Sequence, residues 1–471
     1  MNFVVYMKSK EEYISIRRSE YELLINTIKV LQQEVLMLRD RVKELEGLLS
    51  KTSNNSHKPP SSDGYRKAIK NSRVKSENNQ GAQPGHEGKT LESVDNPDYI
   101  ISHKLIGKCE CGKDLEQLPI KSLHRRQVFD LPSKLLEVTE HQIETKQCVC
   151  GKIHEAECEV KGITQYGVRI KALAVYLNQY QLIPYERTQE LIKDCFGVSI
   201  SDWVLDNCNQ NCYTGLEQTE EIIKNALIQS KVIHNDETGL RCNKKLQWVH
   251  VSSTDTHTHF GIQEKRGSIG MDAIGILPIF KGNSVHDRFS AYDKYGCEHS
   301  FCNAHLLREL KYVHEELGKK WASEMSGVMA DANELKKLDG LNESTIQEIE
   351  IKYSQVLSAG LEEEPYIPIQ NGKRGRKAKP KSRLLFEAFR DKRNEILKFI
   401  HDKDVPFDNN LAERDIRMVK LKQKISGCFR TQNGAIIFCR IRSYISTVRK
   451  QKYAVLNAIE QALLGKPIVL A

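Results

Sequence analysis

The spacing of apolar positions changes several times along this 471-residue chain, and each change predicts a different element. Leu24, Ile28, Leu31, Val35, Leu38, Val42, Leu45 and Leu49 alternate steps of four and three; Tyr21 extends the seam backward and Arg17 ends it. The stripe is flanked by "QQE", "RDR" and "KE". It is narrower than the face of a helix packed on a domain, so it predicts a dimeric coiled coil within 1–51. Residues 52–97 carry almost no apolar side chains and are rich in Ser, Asn, Pro, Gly and Lys. They predict a basic disordered linker, either an arm that follows phosphates or a plain tether. Within 98–160, "RRQVFDLPSKLLEVTEHQIET" alternates as a hairpin would. Helical spacing returns over 161–230, a connector broken at Pro184.

The pattern then shortens. "KVIHNDETGL", "LQWVHVSST" and "HTHFGIQ" are strand-like runs separated by the turn-rich "RCNKK" and "TDT". "SIGMDAIGILPIF" predicts a helix, "GNSVHDRFSAY" a short strand ending in an aspartate, and "EHSFCNAHLLRELKYVHEEL" a strand running into a helix. A three-strand meander, a crossover helix and further strands is the order of a ribonuclease-H-like core, whose first part is 231–310. A helical insertion over 311–404 and a C-terminal part over 405–471 complete it. The fold class expected is therefore multidomain α/β.

Charge sharpens this picture. The net charge is +9, but basic residues crowd into 58–76, 371–383 and 414–450. Such runs suit phosphate backbones or acidic surfaces, or form a solvated face. No stretch approaches eighteen apolar residues and the N-terminus lacks a signal-peptide core, so a cytoplasmic protein without membrane contact is expected. Thirteen scattered cysteines fit reduced thiols better than a disulfide scaffold. Two Cys-x-Cys-Gly turns bracket the module at 98–160, pairing Cys109 and Cys111 against Cys148 and Cys150. A glycine after the second cysteine permits a knuckle whose amides point at the thiolates, so four thiolates predict a closed structural zinc site. The spacing is one residue shorter than Cys-x-x-Cys, and free thiols are the alternative. His154 and Cys158 could substitute as ligands.

Three acids stand where chemistry could use them. Asp236 lies in the first strand of the meander and Asp287 at the end of the fourth; parallel neighbours would set them side by side. Two bare carboxylates at that distance repel, and a divalent cation resolves the conflict. Glu413 supplies a third oxygen from "NNLAERDIRMVKLKQK", where Ala412, Ile416 and Val419 share the face that would lie on the sheet. Glu413 lies about 100° round from Ala412, at the border of that face. All-carboxylate ligation favours magnesium or manganese over zinc. Each acid also has a plainer reading: Asp236 a turn acid near Gly239, Asp287 a cap, Glu413 the capping-box partner of Asn410. Asp293 is the rival for the second position.

The chain resembles the DDE transposases of the insertion sequence 66 family over nearly its whole length. The resemblance rests on the heptad helix followed by "NNSHKPPSSDG", on the double knuckle with "RRQVFDLP" and "VTEH", and on "HNDETG". "VHDRFSAY", "CNAHLLREL" and "PFDNNLAERDIRMVKLKQKISGCFRT" carry it further. It implies a ribonuclease-H-like catalytic core interrupted by a helical insertion, with the acidic triad on Asp236, Asp287 and Glu413. It further implies two-metal phosphoryl transfer, Asp236 bridging two magnesium or manganese ions, Asp287 holding one and Glu413 the other. The substrates would be double-stranded transposon ends and target DNA, in a bacterial cytoplasm and at the nucleoid. A homodimer is the minimum that joins two ends, and helper proteins of the same element are possible partners.

Around that site, Arg414, Arg417, Lys420, Lys422, Lys424 and Arg430 are candidates for DNA-backbone contacts. His305 and Arg308 resemble a family motif and would sit near the phosphate being cut, or else are a packed histidine and a surface arginine. Cys297, His299, Cys302 and His305 suggest zinc, but a strand-to-helix junction would scatter them over two faces. His234 reads as a strand residue rather than a base. Two other functions compete: a non-catalytic coiled-coil and zinc DNA-binding regulator derived from a transposase, and a nuclease that cleaves without joining.

Overall fold

A computed structural model describes residues 5–8, 13–49, 91–132, 135–160, 162–365 and 379–468. Most of the linker and of the basic loop "NGKRGRKAKPKSR" lie outside the described residues. The chain folds as two compact units, one of residues 1–72, 166–188 and 201–471, the other of 73–165 and 189–200.

The larger unit begins with a hairpin that the apolar spacing does not predict, β1 (Val5–Lys8) antiparallel to β2 (Tyr13–Ile16). Helix α1 (Arg18–Leu49) follows as one unbroken helix. Its seam residues Leu24, Ile28, Leu31, Val35, Leu38, Val42 and Leu45 are all exposed.

The smaller unit contains the two cysteine knuckles and a short hairpin, β3 (Thr145–Gln147) against β4 (Ile153–Glu155). The alternating stretch at 125–145 is not the expected hairpin: of its described residues only Thr145, the first of β3, lies in a strand. Val128 and Val138 are 90% and 80% exposed, so no second layer rewards the alternation with burial. Among the described residues of this unit, pairing occurs where the knuckles reverse the chain: β3 with β4 around the second, and a single bridge of Lys108 with Asp114 around the first.

Helices α2 (Val168–Val175), α3 (Tyr185–Phe196), α4 (Asp202–Gly215) and α5 (Glu217–Gln229) form the stretch read as a helical connector. A wider π turn, Tyr176–Tyr180, continues α2, and Pro184 falls in the break before α3. A five-stranded mixed sheet comes next: β5 (Val232–Cys242), β6 (Lys245–Ser253), β7 (Thr258–Gln263), β8 (Asn283–His286) and β9 (Glu298–Phe301), in the order β7-β6-β5-β8-β9. The first three strands are antiparallel neighbours, whereas β8 runs parallel to β5 and β9 parallel to β8. Helix α6 (Ser268–Ile274) makes the crossover and stops at Gly275, which takes the left-handed conformation that ends a helix cheaply.

Beyond β9, helices α7 (Asn303–Leu317), α8 (Lys320–Lys337), α9 (Glu343–Glu363), α10 (Lys381–Asp391) and α11 (Arg393–His401) bury Trp321, Tyr353, Phe386 and Phe389 in a core of their own that reaches Val285 and Phe301. Helices α12 (Asn410–Ser426), α13 (Gln432–Lys450) and α14 (Val455–Leu463) close the chain. The face read from the sequence is the buried one: Ala412, Ile416 and Val419 of α12 pack with Leu240, Val249, Val251, Phe260 and Phe438 over the antiparallel half of the sheet. Ile233, Tyr292 and Tyr444 belong to a further core shared with α2, α4, α5, α13 and α14. Among the described residues, no helix is long and apolar enough to cross a membrane.

Candidate active site

The parallel pairing of β5 with β8 brings the first two acids together. Val232 pairs with Asn283, Ile233 with Ser284 and His234 with Val285. Continuing that register two positions sets Asp236 opposite Asp287, which follows β8 directly. Asp287 Oδ1 accepts the amide of Phe289 at 3.0 Å, the kind of local bond that turns a chain out of a strand. Its rival Asp293 sits exposed in the following turn and pairs with Lys392 at 3.3 Å.

Glu413 arrives from α12, which is pinned to β5 at both ends. At its start, the Asn409 side chain bonds across to His234 Nδ1 at 2.9 Å and donates to the Asn235 carbonyl at 2.7 Å. Beyond its end, the Phe429 amide donates to the Arg241 carbonyl at 3.0 Å and the Asn243 amide to the Phe429 carbonyl at 2.8 Å. Helix and strand lengths match: seventeen helical residues rise about 25 Å, and the strand from Asn235 to Cys242 about 23 Å. Asn409 is the N-cap and forms no side-chain cap bond, so Glu413 is not the capping-box partner of Asn410. Its carboxylate, largely buried, instead meets Cys302 and His305 from the β9–α7 junction. Cys302 Sγ is 3.8 Å and His305 Nε2 3.9 Å from Glu413 Oε1.

The electrostatics follow from the crowding. Burial raises the Asp236 carboxyl well above the usual range, and the charges of Glu237, Asp287 and Glu413 push it further. Glu413 is also raised, by burial first, although Arg308 and Arg417 pull it down. Arg417 lies 4.0 Å from Glu413 Oε2. Lys420 donates to the Gly239 carbonyl at 2.8 Å and interacts with Asp236, while burial lowers its pKa. Lys422 is half-buried and lowered by burial, whereas Arg414, Lys424 and Arg430 are exposed. Asp287 and Glu413 both act on Asp236 electrostatically, but among the described residues the three carboxylates are not gathered within 4.8 Å of one another. Carboxylate oxygens are the ligands a hard divalent cation takes.

A family model for the IS66 transposases matches residues 163–436, more than half of the chain. The chain belongs to the IS66 transposase family. That match spans all three acids of this transposase-family chain. A second model, a family of unknown function (DUF6444), matches residues 10–92. No curated protein matches the sequence.

Several residues of the site are not apparent from the sequence. Glu237, next to Asp236, is buried and held by Arg266 at 2.7 Å and by the Tyr292 hydroxyl at 2.8 Å, with Arg266 lying over the Phe289 ring. Strand alternation in the doublet Asp236–Glu237 is the available signal. Asn409 gives none, because its partners are 174 and 175 residues away. The scatter expected of the four residues Cys297 to His305 is observed in part. His299 turns to His286 at 3.0 Å, while Cys302 and His305 share one side.

In the smaller unit the two knuckles are built alike. The Cys109 amide donates to the Lys113 carbonyl and the Gly112 amide to the Cys109 carbonyl; Cys148, Lys152 and Gly151 repeat the pair. Gly112 and Gly151 have φ of +85° and +86°, a conformation that favours glycine. The amides of Cys111 and Cys150 lower the thiols of Cys109 and Cys148. Sulfur meets sulfur within each knuckle. Among the described residues, however, Cys302, His305 and Glu413 are the one group of three potential ligands gathered within 4.8 Å.

Proposed function

We propose that the chain is a DNA transposase with a ribonuclease-H-like core, which cleaves at the ends of its insertion sequence and joins them to target DNA. The observation that carries this reading is the parallel register of β5 on β8, which sets Asp236 opposite Asp287, within a chain whose residues 163–436 match the IS66 transposases. Carboxylates brought together from two strands and a helix cost stability unless a cation joins them. The strand order β7-β6-β5-β8-β9 supports the fold assignment.

Asp236, Asp287 and Glu413 would hold two magnesium or manganese ions. Such ions, when bound, supply an acidified water and neutralise charge at the leaving 3′ oxygen. The remaining work falls to side chains that orient the phosphate. Arg308 and Arg417 flank Glu413, and His305 lies beside it, where they would contact the backbone being cut. Arg414, Lys420, Lys422, Lys424 and Arg430 extend basic charge along and beyond the same helix toward the flanking duplex. Glu237, tied down by Arg266 and Tyr292, is a positioning residue that braces the strand behind Asp236.

Cys109, Cys111, Cys148 and Cys150 would bind a structural zinc ion, because each knuckle already aims amides at a thiolate. The exposed seam of α1 is proposed to pair with a second copy in the cytoplasm, so that one assembly holds two DNA ends. Helper proteins of the element are further candidate partners.

The decisive test incubates purified protein and magnesium with a labelled end of its own element, beside Glu413→Gln. Cleavage and joining should require the metal and fall at least about a thousandfold in the variant. Tight binding without cleavage by either protein, with manganese and helper proteins also supplied, would instead favour a DNA-binding regulator.

A further inference from the structure

Glu413 has a second set of neighbours that oxygen-seeking ions do not require. Cys302 is the fully buried residue that caps α7, and His305 stands one turn into that helix. Their ligand atoms and Glu413 Oε1 all lie within 4.8 Å of one another, with two of the separations at 3.8 and 3.9 Å. Tetrahedral zinc bound by sulfur, imidazole nitrogen and carboxylate oxygen sets such atoms about 3.3–3.6 Å apart. The two separations to Glu413 exceed that spacing by about 0.2–0.6 Å. The Asn409 amide also donates to Cys302 Sγ at 3.2 Å, the contact that steadies a thiolate ligand.

We propose that Cys302, His305 and Glu413 form a zinc site that shares Glu413 with the acidic triad, so that zinc inhibits the magnesium-dependent reaction. The inference rests on the reading of Glu413 as the third acid. A thiolate and an imidazole bind zinc far better than magnesium, whereas Asp236 and Asp287 offer oxygen alone. A glutamate drawn toward Cys302 and His305 is withdrawn from the carboxylate cluster. Three protein ligands leave the fourth zinc position open, so the site fills and empties without unfolding the chain.

The test titrates the full-length protein with cobalt(II) as a zinc surrogate, reading thiolate-to-cobalt absorption and bound equivalents. Cys302→Ser should remove one equivalent and its share of the absorption, and His305→Ala should weaken that equivalent at least about tenfold. Cys109→Ser, a change in the smaller unit, should leave this equivalent in place. In parallel, the zinc concentration that halves magnesium-dependent cleavage should rise at least about tenfold in Cys302→Ser, relative to that variant's own zinc-free rate. If Cys302→Ser fails to fold, His305→Ala carries both measurements. Unchanged cobalt stoichiometry and affinity in both variants overturns the site; binding without inhibition overturns its coupling to catalysis. Cobalt absorption is read without DNA, so a protein that never cleaves would fail the transposase reading while the metal site stood or fell alone.

Discussion

Asp236 is the residue on which most of the site's tension falls. Burial and three neighbouring carboxylates favour its protonated form, and Glu413 shares that bias. A carboxyl whose pKa is raised by folding binds more protons in the folded than in the unfolded state. Stability therefore falls as pH climbs from the ordinary carboxylate range through the raised value. Metal-free protein should accordingly lose melting temperature between mildly acidic and neutral pH. Asp236→Asn should melt a few degrees higher than the parent at neutral pH and show a flatter pH profile by calorimetry. Magnesium should raise the melting temperature of the parent and leave Asp236→Asn little changed. A variant that melts below the parent at neutral pH without metal would argue that the carboxylate is structurally satisfied.

At the scale of the element, α12 decides where the third acid stands. Its apolar face is legible from spacing alone, because Ala412, Ile416 and Val419 follow the helical period. The capping-box alternative is equally legible and is not what forms. Asn409 spends its side chain on β5 rather than on the helix amides, a choice that depends on His234 and Asn235 arriving from far along the chain. Asn409→Ala should leave a buried carbonyl and a buried imidazole without these bonds, costing about 1–3 kcal/mol of stability in denaturation. Cleavage should fall more than that loss explains, because Glu413 loses its register against Asp236. Equal stability with unchanged cleavage would show that the phenylalanine bridge at the other end suffices. The knuckles make the same point in miniature: their turns are readable from Cys-x-Cys-Gly, yet the stretch between them alternates like a hairpin and forms none. Alternation specifies a strand only where some layer covers one of its faces.

For the whole molecule, the exposed seam of α1 is the feature least explained by the chain alone. Val35 and Leu38 are 49% and 64% exposed on a helix too long to leave such a stripe in water without a partner. Leu31→Lys with Leu38→Lys should halve the mass seen by analytical ultracentrifugation while leaving the circular dichroism of the sheet-bearing core intact. Joining of paired ends should fall further than single-end cleavage. A mass unchanged by the double substitution would assign assembly to other surfaces.

The sequence by itself determined the helices and strands with strong periods, the turns whose glycines allow positive φ, and the acidic and basic residues available to a site. These depend on neighbours within a few positions, where spacing and backbone chemistry act directly. Only the tertiary structure decided what those residues meet: Glu237 with Arg266 and Tyr292, Asn409 with β5, and Cys302 and His305 with Glu413. Such contacts join residues from 29 to 175 positions apart. No local period encodes them; they follow from the sheet register and from the two ends that hold α12 against it.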